Sequence, residues 1–357
     1  MADLRIGIVG LHNHYHAYPM ADYLVRGLPG ARLVAVADER EALARSFADA
    51  YCGGDWTTDY DALLRRGDID AVIVTSYTSA HADHVEAAAD AGKHVLLDKP
   101  IATTMADAAR IVAAGRRVVV MMAYLLRFLP VYRRVYEVVR EGVVGDLVSA
   151  FYSIRVPATF ITDSPGATER GWYADPARAG GGGFLDHGVH FTDFMRWFFG
   201  CEATAVVGRT ASLTYRDLGV EDYGIATYTM ASGAIATVES TWHAADWYGP
   251  LASPDRCTIT GTDGEIELHY QRSPQVEIAA RVAPYDGRVH LDLAGEERYE
   301  ACYRDNLLAF VAAVRDGASA TPDALDGARA LEMVLGAYRA DAENRTIELP
   351  LPDGSAL

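Results

Sequence analysis

The sequence predicts two domains in one chain: an α/β domain on a doubly wound parallel sheet, then an α+β domain with a large, mostly antiparallel sheet. Three observations carry this. The 357 residues amount to about two ordinary domains. Residues 1–123 alternate short apolar runs with longer helical stretches, the signature of βαβ units. From residue 124 onward strands follow one another, with an inserted helix near Asp186–Phe199 and two closing helices, Glu297–Arg315 and Asp323–Glu343.

In the first domain, Leu4–Val9 stops at Gly10, Arg32–Ala37 at Asp38, Ala71–Thr75 at Ser76 and Val95–Leu97 at Asp98; Val118–Ala123 closes the series. Helical stretches at Glu39–Tyr51, Ala80–Ala91 and Thr104–Ala114 lie between them, and Pro19 is expected to open the first helix. Strands apolar on both sides belong to a sheet covered on both faces. Ligands of such sheets bind beyond the carboxyl ends of the strands, where each of these polar residues falls. In the second domain, a helix around Pro130–Glu141 precedes strands at Asp146–Val156, Ala203–Tyr215, Tyr223–Met230, Ala234–Trp242, Arg256–Thr260 and Glu265–Tyr270. Ser232-Gly233 and Asp263-Gly264 are hairpin turn signals.

Composition excludes several functions. With 32 basic against 49 acidic residues the net charge is −17, which leaves no basic footprint for nucleic acid or anionic lipid. Charges at Asp3 and Arg5 interrupt any signal-peptide core. The longest apolar run, Val118–Leu126, falls short of the roughly 20 residues that span a bilayer. A cytoplasmic protein is expected, with Cys52, Cys201, Cys257 and Cys302 as reduced thiols. Lysine occurs only at Lys93 and Lys99, which suggests that at least one position needs an amine that can titrate.

The first strand turn, Gly10-Leu11-His12-Asn13-His14-Tyr15, keeps the first glycine of the dinucleotide pattern and replaces the other two. His12, His14 and His16 read as a loop that hydrogen-bonds a diphosphate, or as structural histidines, rather than as metal ligands; no metal is expected. Asp38, 28 residues after Gly10, is placed to accept from an adenosine ribose and to repel a 2′-phosphate, which favours NAD over NADP; Arg40 beside it could pair with a phosphate. Lys99 projects from the sheet edge inside Asp98-Lys99-Pro100. Four glycines, Gly180–Gly183, permit close approach of a backbone or ligand just before Asp186 and His190. These two are four apart, on one helix face, so the carboxylate is expected to orient the imidazole and favour its charged form, with His187 pointing elsewhere.

These residues resemble the Gfo/Idh/MocA family, the glucose–fructose oxidoreductase and inositol dehydrogenase group. Gly92-Lys93-His94-Val95-Leu96-Leu97-Asp98-Lys99-Pro100 matches one family signature, with aspartate for the usual glutamate at Asp98. Gly181–Gly183 with Asp186, Gly188, His190 and Asp193 matches the second; Arg127-Phe128, Trp172–Pro176 and Gly261–Gly264 also agree, so the likeness runs from about residue 4 to residue 350. His12 and Tyr15 stand where the family has small residues, and Tyr77 where many relatives have proline. The resemblance implies a nicotinamide cofactor and Lys99, Asp186 and His190 as catalytic residues. His190 would exchange the hydroxyl proton, Lys99 would hold that oxygen, and Asp186 would orient and tune. Gly10, His12, Asn13, Asp38, Arg40, Ser76, His81, Asp98 and Lys99 form the expected cofactor set. Tyr124, Arg127, Trp172 and Tyr173, with Asp186 and His190, form the expected substrate set. The expected activity is NAD-dependent oxidation of a sugar, polyol or cyclitol hydroxyl by a homodimer or homotetramer. Two alternatives stand beside it: an NAD-using glycosidase or lyase with transient sugar oxidation, and a ligand-sensing regulator.

Overall fold

The computed structural model describes residues 2–157, 171–243, 255–269, 274–292 and 301–352. Six parallel strands form the first sheet: β1 (Leu4–Val9), β2 (Ala31–Ala37), β3 (Trp56–Thr57), β4 (Ala71–Val74), β5 (His94–Leu97) and β6 (Val120–Met122). Their spatial order is β3-β2-β1-β4-β5-β6. All four residues of β4 are buried, as a strand covered on both faces requires. The connecting helices are α1 (His14–Val25), α2 (Glu41–Tyr51), α3 (Tyr60–Leu64), α4 (His81–Asp90) and α5 (Met105–Ala114). The strand order reverses between β1 and β4, which opens a crevice at their carboxyl ends. Gly10 turns there with φ +79°, and a Cβ on it would meet Ser76 Cα at 2.7 Å, so only glycine serves both needs.

The second sheet has nine strands. In chain order the elements are α6 (Pro130–Arg140), β7 (Leu147–Pro157), α7 (Pro176–Ala179), α8 (Gly183–Phe199), β8 (Ala203–Ala211), β9 (Tyr223–Met230), β10 (Ile235–His243), β11 (Asp255–Gly261), β12 (Gly264–Leu268), β13 (Val276–Ala280), β14 (Gly287–Leu291), α9 (Ala301–Asp316), α10 (Ala324–Glu343) and β15 (Ile347–Glu348). The sheet order is β14-β13-β12-β11-β7-β10-β9-β8-β15. Every pair is antiparallel except β7 with β10. Helices α8 and α10 cover one face and bury Tyr152, Tyr228 and Trp242. The chain then returns to the first sheet: the Met122 amide donates to Pro322 O at 2.8 Å, and Asn306 Nδ2 donates to Met122 O at 3.4 Å. One continuous core therefore joins both sheets and fixes α8 against the end of β5.

Two expectations change. Pro19 lies inside α1, which starts at His14, so the loop after β1 is short. The carbonyl of Tyr15, which a proline at 19 cannot satisfy, instead accepts from the Tyr303 hydroxyl at 2.8 Å. The expected helix at Glu39 begins at Glu41. Two expected element ends, Tyr270 and Glu297, lie outside the described residues. All four cysteines are free thiols, and no helix among the described residues is long and apolar enough to cross a membrane.

Candidate active site

Lys99 leaves the carboxyl end of β5 and meets α8. Its Nζ donates to Asp186 Oδ1 at 2.5 Å and to Asp186 O at 2.9 Å. The pair is almost enclosed, with Lys99 only 7% exposed. The other lysine serves the scaffold, since Lys93 Nζ donates to the carbonyls of Arg66 and Ile69, both at 2.7 Å, and secures the end of α3.

The glycine run explains how α8 comes so close. Gly180 has φ +85° and stands against Thr103, while a Cβ on Gly182 would collide with the Glu221 carbonyl. Glu221 O accepts from Gly183 N at 2.9 Å. Its carboxylate accepts from Gly182 N at 2.8 Å, Phe184 N at 3.1 Å and the Tyr338 hydroxyl at 2.6 Å. This half-buried carboxylate thus caps the helix that carries Asp186, His187 and His190. Sequence reasoning missed Glu221, because nothing local marks a carboxylate 39 residues away as the cap.

The expected Asp186–His190 pair does not form. Asp186 is taken by Lys99, and its other oxygen lies 3.1 Å from His187 Nδ1, so His187 faces the site rather than away from it. An ammonium attracts the carboxylate more strongly than a neutral imidazole can. Burial pushes the Asp186 pKa up, but Lys99 and His187 outweigh it and the net shift is downward, so the carboxylate is ionised. Burial also lowers His187, to about 4, and holds His190 well below the ordinary imidazole value, where the nearby Lys99 charge adds to the effect. The expected charged His190 is therefore replaced by a neutral one. Its Nδ1 is buried without a hydrogen-bond partner among the described residues, and its ring meets Tyr124 edge-on at 5.7 Å. The Tyr124 hydroxyl is likewise buried and unpartnered.

On the crevice side, Asp98 organises the loop. Its carboxylate accepts from Asn13 Nδ2 at 2.5 Å and from Lys99 N at 2.7 Å, and His16 Nδ1 lies 2.6 Å away. Burial raises the Asp98 pKa, but His16 and Lys99 lower it further, leaving it below the usual carboxylate value. Asp38 accepts from Leu11 N at 2.7 Å and from the Arg40 guanidinium at 2.8 Å through two nitrogens. His12 Nε2 lies 2.8 Å from Glu39, its ring packs on Tyr77 at 3.6 Å, and its carbonyl accepts from Trp172 Nε1 at 3.1 Å. His12, Asp38 and Glu39 bring ligand atoms within 4.8 Å of one another, but Arg40 already spans Asp38, so the cluster is an ion-pair group.

Three expected ligand contacts are engaged elsewhere. His81 is buried with its ring nitrogens on the carbonyls of Pro100, Ile101 and Ser76, where it brackets two loops. Ser76 Oγ pairs with His84 Nδ1 at 2.9 Å. Arg127 is buried and donates to Asp193 at 2.7 and 2.5 Å, so it anchors the turn after β6 rather than reaching a substrate. Trp172 stacks on Tyr173 at 4.0 Å and lies over the β1–α1 loop, on the cofactor side of the site.

The crevice suits a dinucleotide. Gly10 makes the tight turn, α1 starts directly after the loop, and an acid ends β2. His12 Nδ1 and Asn13 Oδ1 are buried polar atoms with no partner among the described residues, the kind of group a bound diphosphate or ribose would satisfy.

Residues 4–124 match the model of an oxidoreductase family with an NAD-binding Rossmann fold, and residues 132–267 match the GFO/IDH/MocA C-terminal domain. Inositol 2-dehydrogenase of Rhizobium meliloti is 30% identical over 356 residues, covering 97% of this chain and 99% of that protein. scyllo-Inositol 2-dehydrogenase (NAD(+)) of Bacillus subtilis is 27% identical over 354 residues, covering 97% of this chain and 96% of that protein. The structure of levoglucosan dehydrogenase with NADH and L-sorbose shares the fold at a TM-score of 0.84, with 22% identity over 98% of this chain and 100% of that one. With both domains matched in order along the chain, the protein belongs to the GFO/IDH/MocA family of NAD-binding oxidoreductases.

Proposed function

We propose that this chain is an NAD-dependent dehydrogenase that moves a hydride between a hydroxyl-bearing carbon of a sugar, polyol or cyclitol and the nicotinamide. The supporting observation is the buried Lys99–Asp186 ion pair beside a neutral, partly unpartnered His190. Gly10, Asn13 and Asp38 would hold the dinucleotide, and the nicotinamide accepts or returns the hydride when bound. In the oxidation direction a neutral His190 takes the hydroxyl proton. Lys99 holds the same oxygen and stabilises the negative charge that grows on it. Asp186 keeps the ammonium aimed, and Tyr124 offers an unsatisfied hydroxyl to a polyhydroxylated ring. The names of the inositol dehydrogenases to which the chain is similar support the substrate class.

We further infer that the division at residues 123/124 separates a nucleotide domain from a substrate domain, and that the protein is a homodimer or homotetramer. Phe151, Val207 and Ile235 stand exposed on strands of the second sheet, an apolar surface suited to a second copy. Light scattering would test this, and a monomer at micromolar concentration would contradict it. The function itself is tested by following nicotinamide absorbance with NAD⁺ and a panel of inositols and sugars. Reduction of NAD⁺ with at least one of them is expected. Product without net absorbance change would favour transient oxidation by a lyase or glycosidase; nucleotide binding with no chemistry would favour a sensor.

A further inference from the structure

Among the alternating histidines, His16 has no part in the proposed chemistry. His16, in the first turn of α1, is buried with its Nδ1 2.6 Å from Asp98 Oδ1. The same Asp98 oxygen accepts the backbone N–H of Lys99, and the other oxygen accepts from Asn13. Asp98 therefore joins three things: the crevice loop through Asn13, α1 through His16, and the backbone that carries Lys99. A nitrogen this close to a carboxylate oxygen is attractive only when it carries the proton. Without His16, a fully enclosed carboxylate would lose one of its few partners and rotate or protonate, and the Lys99 backbone would move with it.

We propose that His16 is a positioning residue that, through Asp98, fixes the Lys99 backbone and ties it to the loop facing the dinucleotide. The role rests on reading Lys99 as catalytic. His16 also lies within the electrostatic reach of Asp186, His187 and His190. Its ring has a second contact, edge-on to Tyr303 at 5.6 Å, which is pure packing. Two substitutions separate these roles. Asparagine keeps a donor near the Nδ1 position and gives up the ring packing; leucine keeps apolar bulk and gives up the donor.

The two-lysine composition makes the test direct, because selective ¹⁵N labelling of lysine gives two side-chain signals, Lys93 and Lys99. H16L is expected to move the Lys99 signal and leave Lys93 in place, since Lys93 is held by carbonyls of another region. In turnover H16L should lower kcat by about 100-fold, the scale of a small misplacement of a reacting group, with little change in nucleotide affinity. H16N should restore both the signal and kcat. An unchanged Lys99 signal and kcat in H16L would overturn the proposal, and so would an H16N as impaired as H16L. If the wild type oxidised no polyol, the proposed function would fall, while the nuclear magnetic resonance comparison would still decide the role of His16.

Discussion

Helix α8 carries two buried charge clusters a few turns apart, and they are finished differently. At its start, Asp186 pairs with Lys99, yet His190 Nδ1 and the Tyr124 hydroxyl beside it have no hydrogen-bond partner among the described residues. Further along, Asp193 is gripped by Arg127 at 2.7 and 2.5 Å, Arg196 reaches Asp326 at 3.0 Å, and Arg196 also meets Glu202 at 2.6 Å. Natural interiors satisfy nearly all their polar groups, so the second cluster is the ordinary case. A saturated network holds one arrangement; an unsaturated one keeps capacity for a ligand's hydroxyls and for a proton. The proposed chemistry draws on the unfinished cluster.

The largest expected effects fall there. Lys99→Met and His190→Ala should each lower kcat by about 10²–10⁴-fold, the usual worth of a positioned acid–base group. Either variant turning over at the wild-type rate would erase the contrast between the clusters. The converse holds for the finished network. Asp193→Ala takes the two-point partner from the enclosed Arg127 guanidinium and should cost about 3–5 kcal/mol of stability in denaturant unfolding. A loss below about 1 kcal/mol would mean that the network is not what holds the helix.

Acid should also affect the two clusters differently. His187 and His84 are depressed to about 4, and His81 and His190 are lowered as well, all chiefly through burial. Each is neutral when folded and takes up a proton near its ordinary value when unfolded. Stability is therefore full above the unfolded imidazole value and falls as pH drops from there toward the folded values, by about 1.4 kcal/mol per pH unit for each such group. Asp98 and Asp186, also lowered, add to the loss only below the unfolded carboxylate range. Burial raises Asp193, so that group works in the opposite direction. Urea melts from pH 7 to 5 should show the histidine slope, and a flat profile would contradict the burial of neutral imidazoles. The rate of oxidation, limited by a neutral His190, should persist to pH values well below those at which a free imidazole protonates.

The smallest effect concerns the crevice, where the Arg40 guanidinium pairs with Asp38. Asp38→Ala removes the acid that repels a 2′-phosphate and leaves the guanidinium without that partner. The preference for NAD over NADP should shrink by about tenfold, near 1.4 kcal/mol, the scale of one charge-assisted hydrogen bond. An unchanged ratio in calorimetry would remove Asp38 from cofactor selection.

Much of this architecture was legible in the chain. Apolar runs covered on both faces gave the parallel sheet, and the observed strand Tyr223–Met230 coincides with its expected span. Two-residue β3 and β15 were invisible, because so short a pairing has no periodicity to read. Strands β13 and β14 were missed on the same edge of the second sheet. The site was half legible. Lys99 and Asp186 could be singled out by rarity and motif, but spacing along a helix assigned the carboxylate to His190, whereas a lysine 87 residues away in sequence takes it. His16 was visible as part of an alternating triplet, and its partner Asp98 as a strand end. Only folding brings together residues separated by 82 positions. Arg127, a charge near the site, looks available to a substrate until its buried partner Asp193 is known.

The most direct test is calorimetric titration of the nucleotide-stripped wild type and Lys99→Met with NAD⁺, NADH, NADP⁺ and NADPH. Both proteins are expected to bind the NAD forms with similar affinity, and neither to bind the NADP forms comparably. Failure of the folded wild type to bind any of the four would contradict the dehydrogenase reading at its root.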